Sequence, residues 1–183
     1  DPAILSNSLN VTSNEVERLI QLCNELLHLT REMDIHCEEP TDLNLVVDEV
    51  ITNFKEVHPE FEFIIKITVT SQIWMRIEHL KQLLIILIDN AIKYSREEEK
   101  KIELLYVDQK LMVKDHGIGI EADKLDYIFN RFYRADESRA QNNNNFGLGL
   151  AIAKRICSYY DYAITVESIV DKYTIFTIDF ERR

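Results

Sequence analysis

The stretch Asp115–Ile120, which reads DHGIGI, decides how the fold of this chain is interpreted. An aspartate beside two glycines most often marks an ordinary turn when it stands alone. Here DNAIKYS at residues 89–95 precedes it, and FGLGLAIAK at residues 146–154 follows it. Their order and context favour one shared site over three unrelated turns.

Composition and charge agree with this interpretation but select little. The chain has 183 residues, enough for one domain and a helical extension, and 46% of them are hydrophobic, enough for a packed core. The net charge of -11 disfavours nucleic acid and anionic membrane surfaces as partners, because contacts with phosphate groups need a basic face. We therefore expect an acidic protein that binds neither nucleic acid nor membrane.

The cysteine pattern and the hydropathy bound the cellular setting. Cys23, Cys37 and Cys157 are odd in number and lack metal-ligand spacing, which favours a reducing, cytoplasmic setting. No apolar run approaches the roughly 20 residues that a membrane helix needs. Because the sequence begins at Asp1 without a methionine or a signal-peptide pattern, we expect a piece of a larger protein, with any membrane anchor outside it.

Apolar residues near the start of the chain recur at spacings of four and three, at Val16, Ile20, Cys23, Leu27 and Thr30. This spacing predicts one long amphipathic helix over residues 3–33, whose apolar seam pairs with another helix. The alternative is a helix that packs on its own domain. Pro40 forbids helix continuation, so the boundary is placed after residue 38, between regions 1–38 and 39–183.

Downstream of Pro40 the pattern predicts a mixture of helices and strands. Thr41 or Asp42 can cap a helix that reaches Lys55. Residues 77–94 contain a short apolar run that periodicity alone would allow as a strand, but their length without Gly or Pro favours a helix. A further helix is predicted from Gly147 to Tyr159, and strands are predicted at residues 61–70, 101–107, 110–115, 163–168 and 173–180. The fold class is therefore an α/β (α+β) sandwich, with helices layered on a mixed β-sheet and one long helix before it.

The three quoted stretches resemble the asparagine box, the first glycine box and the second glycine box of the ATP-binding catalytic domain of sensor histidine kinases. IFNRFYR at residues 128–134 is similar to the phenylalanine box, which lies between the two glycine boxes. The resemblance covers nearly the whole chain. It implies the sandwich fold shared by histidine kinases, gyrase-type ATPases and Hsp90 chaperones. It also implies that residues 1–38 hold the second helix of a dimerisation hairpin, a partial histidine-phosphotransfer region.

Asn90 lies on a helix that is apolar almost all round, so we expect its amide to be buried and to need a polar partner. From the residues alone, either a capping contact to a nearby loop or a metal ion would serve. The resemblance implies that Asn90 holds the Mg2+ that bridges the phosphates of ATP, that Lys93 meets phosphate and that Tyr94 lies against the base. The alternatives are a solvated helix end for Lys93 and a core ring for Tyr94.

Asp115 ends an alternating strand, and its carboxylate can accept a hydrogen bond from the amino group of adenine. A base without that donor should be rejected, because a buried charged acceptor would lose its partner. Gly117 and Gly119 allow the backbone to approach the base closely. The alternative for Asp115 is an aspartate whose hydrogen bonds are satisfied within a turn.

Gly147 and Gly149 open a helix whose free amide groups and positive end suit phosphate. The patternless segment before it, Ala135–Phe146, has the length of a lid, although Asn144 and Asn145 stand where the family usually has further glycines. Either lid packing or a core position is open for Phe132, and either phosphate contact or a surface position is open for Arg134 and Arg139. The resemblance extends the ATP-binding set to further residues of the glycine boxes, Ile120, Leu148 and Leu150.

Two positions depart from the family pattern. Ile86 stands four residues before Asn90, where histidine kinases commonly carry a second asparagine and related ATPases carry a glutamate that activates water. Isoleucine cannot act as a base, so hydrolysis is disfavoured and phosphoryl transfer to an external acceptor remains. Arg76 replaces an aspartate that is common ahead of this helix.

The phosphoacceptor of the family is a histidine before Glu or Asp and near a threonine and a proline. None of the five histidines has these neighbours in the sequence. They are His28, His36, His58, His79 and His116. The resemblance implies that the complete protein is a membrane-anchored bacterial sensor with this portion in the cytoplasm. It would form a homodimer through the helical hairpin, carry the histidine on a missing upstream helix and pass the phosphate to an aspartate of a response regulator. The alternatives are an ATPase or chaperone-type member of the superfamily and a nucleotide-free interaction module.

Overall fold

The computed structural model describes residues 39–67, 72–134 and 146–181, together with Val16 and Cys23. Three helices cover one face of a five-stranded sheet. The helices are α1 (Leu43–Val57), α2 (Ile77–Tyr94) and α3 (Gly149–Tyr159), and a short 3-10 helix spans Ala122–Lys124. The strands are β1 (Pro40–Asp42), β2 (Glu62–Ile67), β3 (Gln72–Trp74), β4 (Lys101–Val107), β5 (Lys110–Asp115), β6 (Ala163–Ile169) and β7 (Tyr173–Asp179).

The main sheet is mixed, and its strand order is β2-β4-β5-β7-β6. Strands β2 and β4 run parallel, while the other neighbours are antiparallel. The predicted sandwich of helices on a mixed sheet is therefore confirmed. A separate antiparallel ribbon of β1 and β3, which the sequence did not predict, joins Pro40 to Trp74 and Asp42 to Gln72.

Helix α2 lies at the centre of the core. Its buried side chains meet the inward rows of β4, β5 and β7, which are Ile102 and Leu104, Leu111 and Val113, and Phe176 and Ile178. Five of its residues are completely buried, namely Leu80, Leu83, Leu84, Leu87 and Ile88. Each such side chain contributes about 1.5 to 3 kcal/mol through removal of apolar surface from water.

Helix α1 begins where the sequence predicted a cap. The Asp42 carboxylate accepts hydrogen bonds from the backbone N–H groups of Asn44, at 2.9 Å, and Leu45, at 3.3 Å. Thr41, the other candidate cap, instead donates its hydroxyl to the Met75 carbonyl at 2.6 Å. Thr41 thus ties the ribbon to the segment that leads into α2.

The bounds of α2, β4 and β5 agree with the sequence prediction, but other elements differ. Strand β2 ends at Ile67, and residues 68–70 of its predicted range lie outside the described residues. Helix α3 begins at Gly149 rather than Gly147, because Gly147 has a left-handed φ of 69° that a helix cannot contain.

The predicted first helix falls mostly outside the described residues. Val16 and Cys23 within it are helical and exposed. In the part of the chain that the structure describes, no helix is long and apolar enough to cross a membrane.

Candidate functional site

A cavity of about 400 Å³ opens where α2 and β5 end and α3 begins. This volume lies in the range of small-molecule sites. Its walls come from the loop after β5, the segment after the 3-10 helix and the turn between β6 and β7. The lining residues are Asn90, Tyr94, Asp115, Ile118, Gly119, Ile120, Glu121, Lys124, Ile128, Tyr133, Arg134, Gly147, Gly149, Leu150, Val170, Asp171, Thr174 and Phe176.

Asp115 is a buried carboxylate in this wall, with only 3% of the residue exposed. Burial raises its pKa to about 6, although hydrogen bonds from the backbone N–H groups of Gly117 and Thr174 act in the opposite direction. The Gly117 N–H lies 2.8 Å from Oδ1. Strand register pairs Asp115 with Thr174, which is buried as well. The carboxylate therefore faces a cavity in which a ligand that donates a hydrogen bond would be favoured.

Gly117 and Gly119 lie where neighbouring backbones leave no room for a side chain. A Cβ atom on Gly117 would come 2.1 Å from the Tyr94 carbonyl oxygen. A Cβ atom on Gly119 would come 2.4 Å from the Ile169 carbonyl oxygen, and Gly119 also has a left-handed φ of 70°. These glycines pack the loop between the end of α2 and the β6–β7 turn, and only Gly119 lines the cavity.

Asn90 lines the cavity but is half-buried rather than buried, and its amide nitrogen donates to the Ile86 carbonyl of its own helix at 2.8 Å. That contact leaves the amide oxygen for a ligand. Lys93 does not line the cavity, because its ammonium group pairs with the Asp89 carboxylate one turn earlier on the same helix. The expected phosphate contact of Lys93 would require this ion pair to open.

The other predicted residues divide into two groups. Tyr94, Ile120, Arg134, Gly147, Gly149 and Leu150 line the cavity. Leu148 is completely buried in the core instead, and Phe132 is 59% exposed with a left-handed φ of 64°. Phe129, three residues before Phe132 and so at the spacing of one helical turn, packs against the core and meets Phe176 edge to face. No helix connects them, so their spacing does not place them on one face. Arg139 and most of the predicted lid, residues 135–145, lie outside the described residues.

Several lining residues were missed by the sequence analysis. Thr174 and Phe176 alternate along β7, and a threonine in an otherwise apolar inward row was a signal that a polar ligand or partner lies there. Val170 and Asp171 belong to the turn that faces the glycine loop, a contact that local sequence does not encode. Glu121 and Lys124 form an ion pair at 2.6 Å on the opposite rim. Ile118, Ile128 and Tyr133 complete the set.

The cavity lining offers Asn90 as a protein ligand for a hard cation. Among the described residues, no group of three or more His, Cys, Asp and Glu side chains could hold a metal ion. The amide oxygen of Asn90 is a fitting ligand for Mg2+, which keeps several waters and takes its other ligands from phosphate. The residues therefore fit a cation that arrives with a nucleotide, and not a metal held by the protein alone.

His116 is not among the residues that line the cavity. Its ring contacts the Glu103 carboxylate at 2.9 Å and the Glu99 carboxylate at 3.4 Å. The hydrogen bond with His116, aided by Lys114, lowers the pKa of Glu103 to about 2. His116 is thus part of an ion network beside the glycine loop, as expected for a structural histidine.

Comparison with known proteins gives this geometry a family. Residues 75–183, more than half of the chain, match the family described as histidine kinase-, DNA gyrase B- and HSP90-like ATPases. The signal transduction histidine-protein kinase ArlS of Staphylococcus epidermidis is 39% identical over 98% of this chain. The chain covers only 41% of that relative's length.

Solved structures agree with the family match. The mycobacterial sensor histidine kinase MprB is 26% identical, with a TM-score of 0.68 over 76% of this chain and 95% of that one. The Acinetobacter baumannii histidine kinase AdeS is also 26% identical, with a TM-score of 0.64 over 96% of this chain and 82% of that one. The chain therefore belongs to the histidine kinase-, DNA gyrase B- and HSP90-like ATPase family, and it holds the ATP-binding catalytic domain found in sensor histidine kinases.

Proposed function

We propose that the cavity binds ATP together with Mg2+ and selects adenine over guanine. The observation that carries this proposal is the buried Asp115 carboxylate in the cavity wall. The amino group of adenine would donate to it, whereas the carbonyl oxygen at the same position of guanine would meet a buried negative charge. Ile118, Ile128 and Phe176 supply apolar surface for a flat ring.

The phosphate end of the ligand would lie towards Asn90 and the start of α3. The first turn of α3 offers free N–H groups and the positive end of the helix dipole, and Gly149 and Leu150 of this turn line the cavity. Arg134 adds a cation on the same wall. The Asn90 amide oxygen would hold Mg2+, which when bound neutralises charge on the phosphates.

In the complete protein we propose that this domain supplies the γ-phosphate for a histidine on an upstream helix. That phosphate would pass to an aspartate of a response regulator, in a homodimer formed through the helical hairpin. A membrane-anchored sensor with this portion in the cytoplasm fits the proposal. The support is the likeness to ArlS and to other sensor kinases. Ile86 argues against water activation from this helix, since isoleucine cannot be a base.

Calorimetric titration of the chain with ATP, with and without Mg2+, tests the nucleotide site. Asp115→Ala should abolish binding, whereas Asn90→Ala should bind ATP equally with and without Mg2+. Asp48→Ala and Asn53→Ala, on the exposed side of α1, are matched controls and should titrate like the parent. If both cavity variants bind like the parent, the site is wrongly assigned. If the parent does not bind ATP, the chain is the nucleotide-free interaction module considered above.

A further inference from the structure

Arg96, two residues beyond the end of α2, joins two backbone segments that form one end of the cavity. Its Nε donates to the His116 carbonyl at 3.1 Å, and its Nη1 donates to the Asp171 carbonyl at 2.9 Å. The remaining nitrogen, Nη2, pairs with the Glu99 carboxylate at 3.3 Å. Arg96 itself does not line the cavity. One half-buried side chain thus contacts both segments from outside.

The two segments are the glycine loop, residues 116–120, and the turn at residues 170–172. The two segments share one further contact, and the loop also contacts the end of β6, just before the turn. The Asp171 N–H donates to the Ile118 carbonyl at 2.8 Å, and the Ile120 N–H donates to the Ser168 hydroxyl at 2.8 Å. Asp171 has a left-handed φ of 57°, a backbone state that a non-glycine residue holds only when its surroundings impose it.

The guanidinium group suits this task because its N–H donors point in fixed directions within one plane. A lysine at the same position would carry the charge but could reach only one of the two carbonyl groups. The third donor, held by Glu99, fixes the rotation of the plane. The contact pattern therefore sets the distance between the loop and the turn, and not merely the local charge.

We infer that Arg96 is a positioning residue for the nucleotide base. By fixing the glycine loop against the β6–β7 turn, it holds the wall formed by Ile118, Val170 and Asp171 at the width of a purine, next to the Asp115 carboxylate. It touches no ligand. This inference rests on the proposed nucleotide site and adds the residue that sets the shape of its base end.

The first test compares the affinity for one ligand that probes the base end of the cavity with the affinity for another that probes its phosphate end. Arg96→Ala should weaken binding of ADP without Mg2+, a probe of the base end, by about tenfold, the loss expected for one misplaced hydrogen bond. Binding of magnesium tripolyphosphate, a probe of the phosphate end, should not change. Arg96→Lys should lie between the parent and the alanine variant. Arg76→Ala removes the same charge from an exposed site paired only weakly with Glu78, and it should bind ADP like the parent.

The second test is hydrogen exchange without any ligand. In Arg96→Ala the amide of Asp171 should exchange faster, whereas amides within the sheet, such as that of Val113, should keep the protection of the parent. That pattern would separate a local loss of position from general destabilisation. If the alanine variant does not fold, the lysine variant decides, because it keeps the charge and fills most of the same space.

The outcomes are distinguishable from failure of the proposed function. If the parent binds no nucleotide, the proposed function is wrong and the inference falls with it. If the parent binds ADP and both Arg96 variants bind it equally well, only the inference is overturned. An equal loss for ADP and for magnesium tripolyphosphate would overturn it too, because the effect would then not be confined to the base end.

Discussion

The buried carboxylate of Asp115 suits a ligand that donates a hydrogen bond, but it destabilises the folded domain when no ligand is bound. Its folded-state pKa is raised from 3.8 to about 6 by burial. The folded protein therefore holds the proton more tightly than the unfolded chain does. The proton on Asp115 therefore stabilises the folded state. This stabilisation is complete below pH 3.8 and is lost as the pH rises through about 6. At neutral pH the ionised carboxylate is buried, and this costs about 3 kcal/mol for a shift of about two pKa units.

We expect Asp115→Asn to raise the stability of the empty domain at pH 7 by about 1 to 3 kcal/mol. Asparagine keeps an oxygen that can accept from the Gly117 N–H but carries no charge. Urea unfolding at several pH values measures the difference, which should shrink towards zero below pH 4. The same variant should lose ATP affinity at pH 7. A variant that is no more stable than the parent at pH 7 would show that the carboxylate is not held in a costly state.

The three histidines among the described residues each contact another side chain. His58 pairs with Glu60 at 3.5 Å, His79 shares a hydrogen bond of 2.6 Å with the Tyr160 hydroxyl, and His116 lies between two carboxylates. Each of these three is committed to a structural contact. His28 and His36 lie outside the described residues.

At the scale of the element, the β4–β5 hairpin has an unusual turn. Asp108 and Gln109 both have left-handed φ angles, 49° and 60°, as the two central residues of a tight hairpin require. In this left-handed conformation the Cβ atom of glutamine crowds the backbone, whereas glycine has no Cβ atom. The strands predicted at residues 101–107 and 110–115 leave these two residues between them, although neither is the glycine that this turn type favours.

Gln109→Gly should therefore stabilise the domain, by about 0.5 to 1 kcal/mol. Thermal unfolding measures the gain as a higher melting temperature. Gln109→Ala is the matched control, since alanine shortens the side chain but keeps the Cβ atom that crowds a left-handed residue. A gain of equal size in both variants would mean that the side chain, and not the backbone conformation, is responsible.

Helix α2 offers a direct comparison between its buried and exposed faces. Leu84 is completely buried and its neighbour Ile85 is 47% exposed, so the two differ in burial far more than in chemistry. Leu84→Ala should lower the free energy of unfolding by about 2 to 5 kcal/mol, because the core cannot close the space. Ile85→Ala should change it by about 0.5 kcal/mol or less. Similar losses measured by urea unfolding would contradict the packing of this helix.

The same elements show what could be predicted from the sequence. Helix α2 was predictable because a long apolar pattern without Gly or Pro leaves few alternatives. The ribbon of β1 and β3 was not, since strands of three residues such as Gln72–Trp74 are too short to establish a period in the sequence. Asp115 could be assigned to the site from its motif. Thr174 left only the signal of a threonine in an apolar row, and Asp171 left none, because strand register and turn packing bring them there from far along the chain.

For the whole molecule, we expect this chain to bind ATP and the phosphoacceptor histidine to lie on a different segment, the upstream helix. The chain incubated with ATP labelled in the γ-phosphate should neither label itself nor release phosphate appreciably, because Ile86 offers no base and the described histidines are committed elsewhere. Adding a second chain that carries the upstream helix and its histidine should restore labelling. Acid-labile phosphate on any histidine of this chain alone would contradict the assignment.

The β1–β3 ribbon is connected by hydrogen bonds to the start of α2 and to Tyr162. Thr41 ties the ribbon to Met75, and the Tyr162 hydroxyl ties the Trp74 carbonyl to the far end of the core. Two residues after Met75, α2 begins, and its 18 residues form a rod about 27 Å long that ends beside the cavity. Because Asn90 lies in the last turns of this helix, we expect a displacement of the ribbon along the helix axis to move Asn90 together with the rest of the helix.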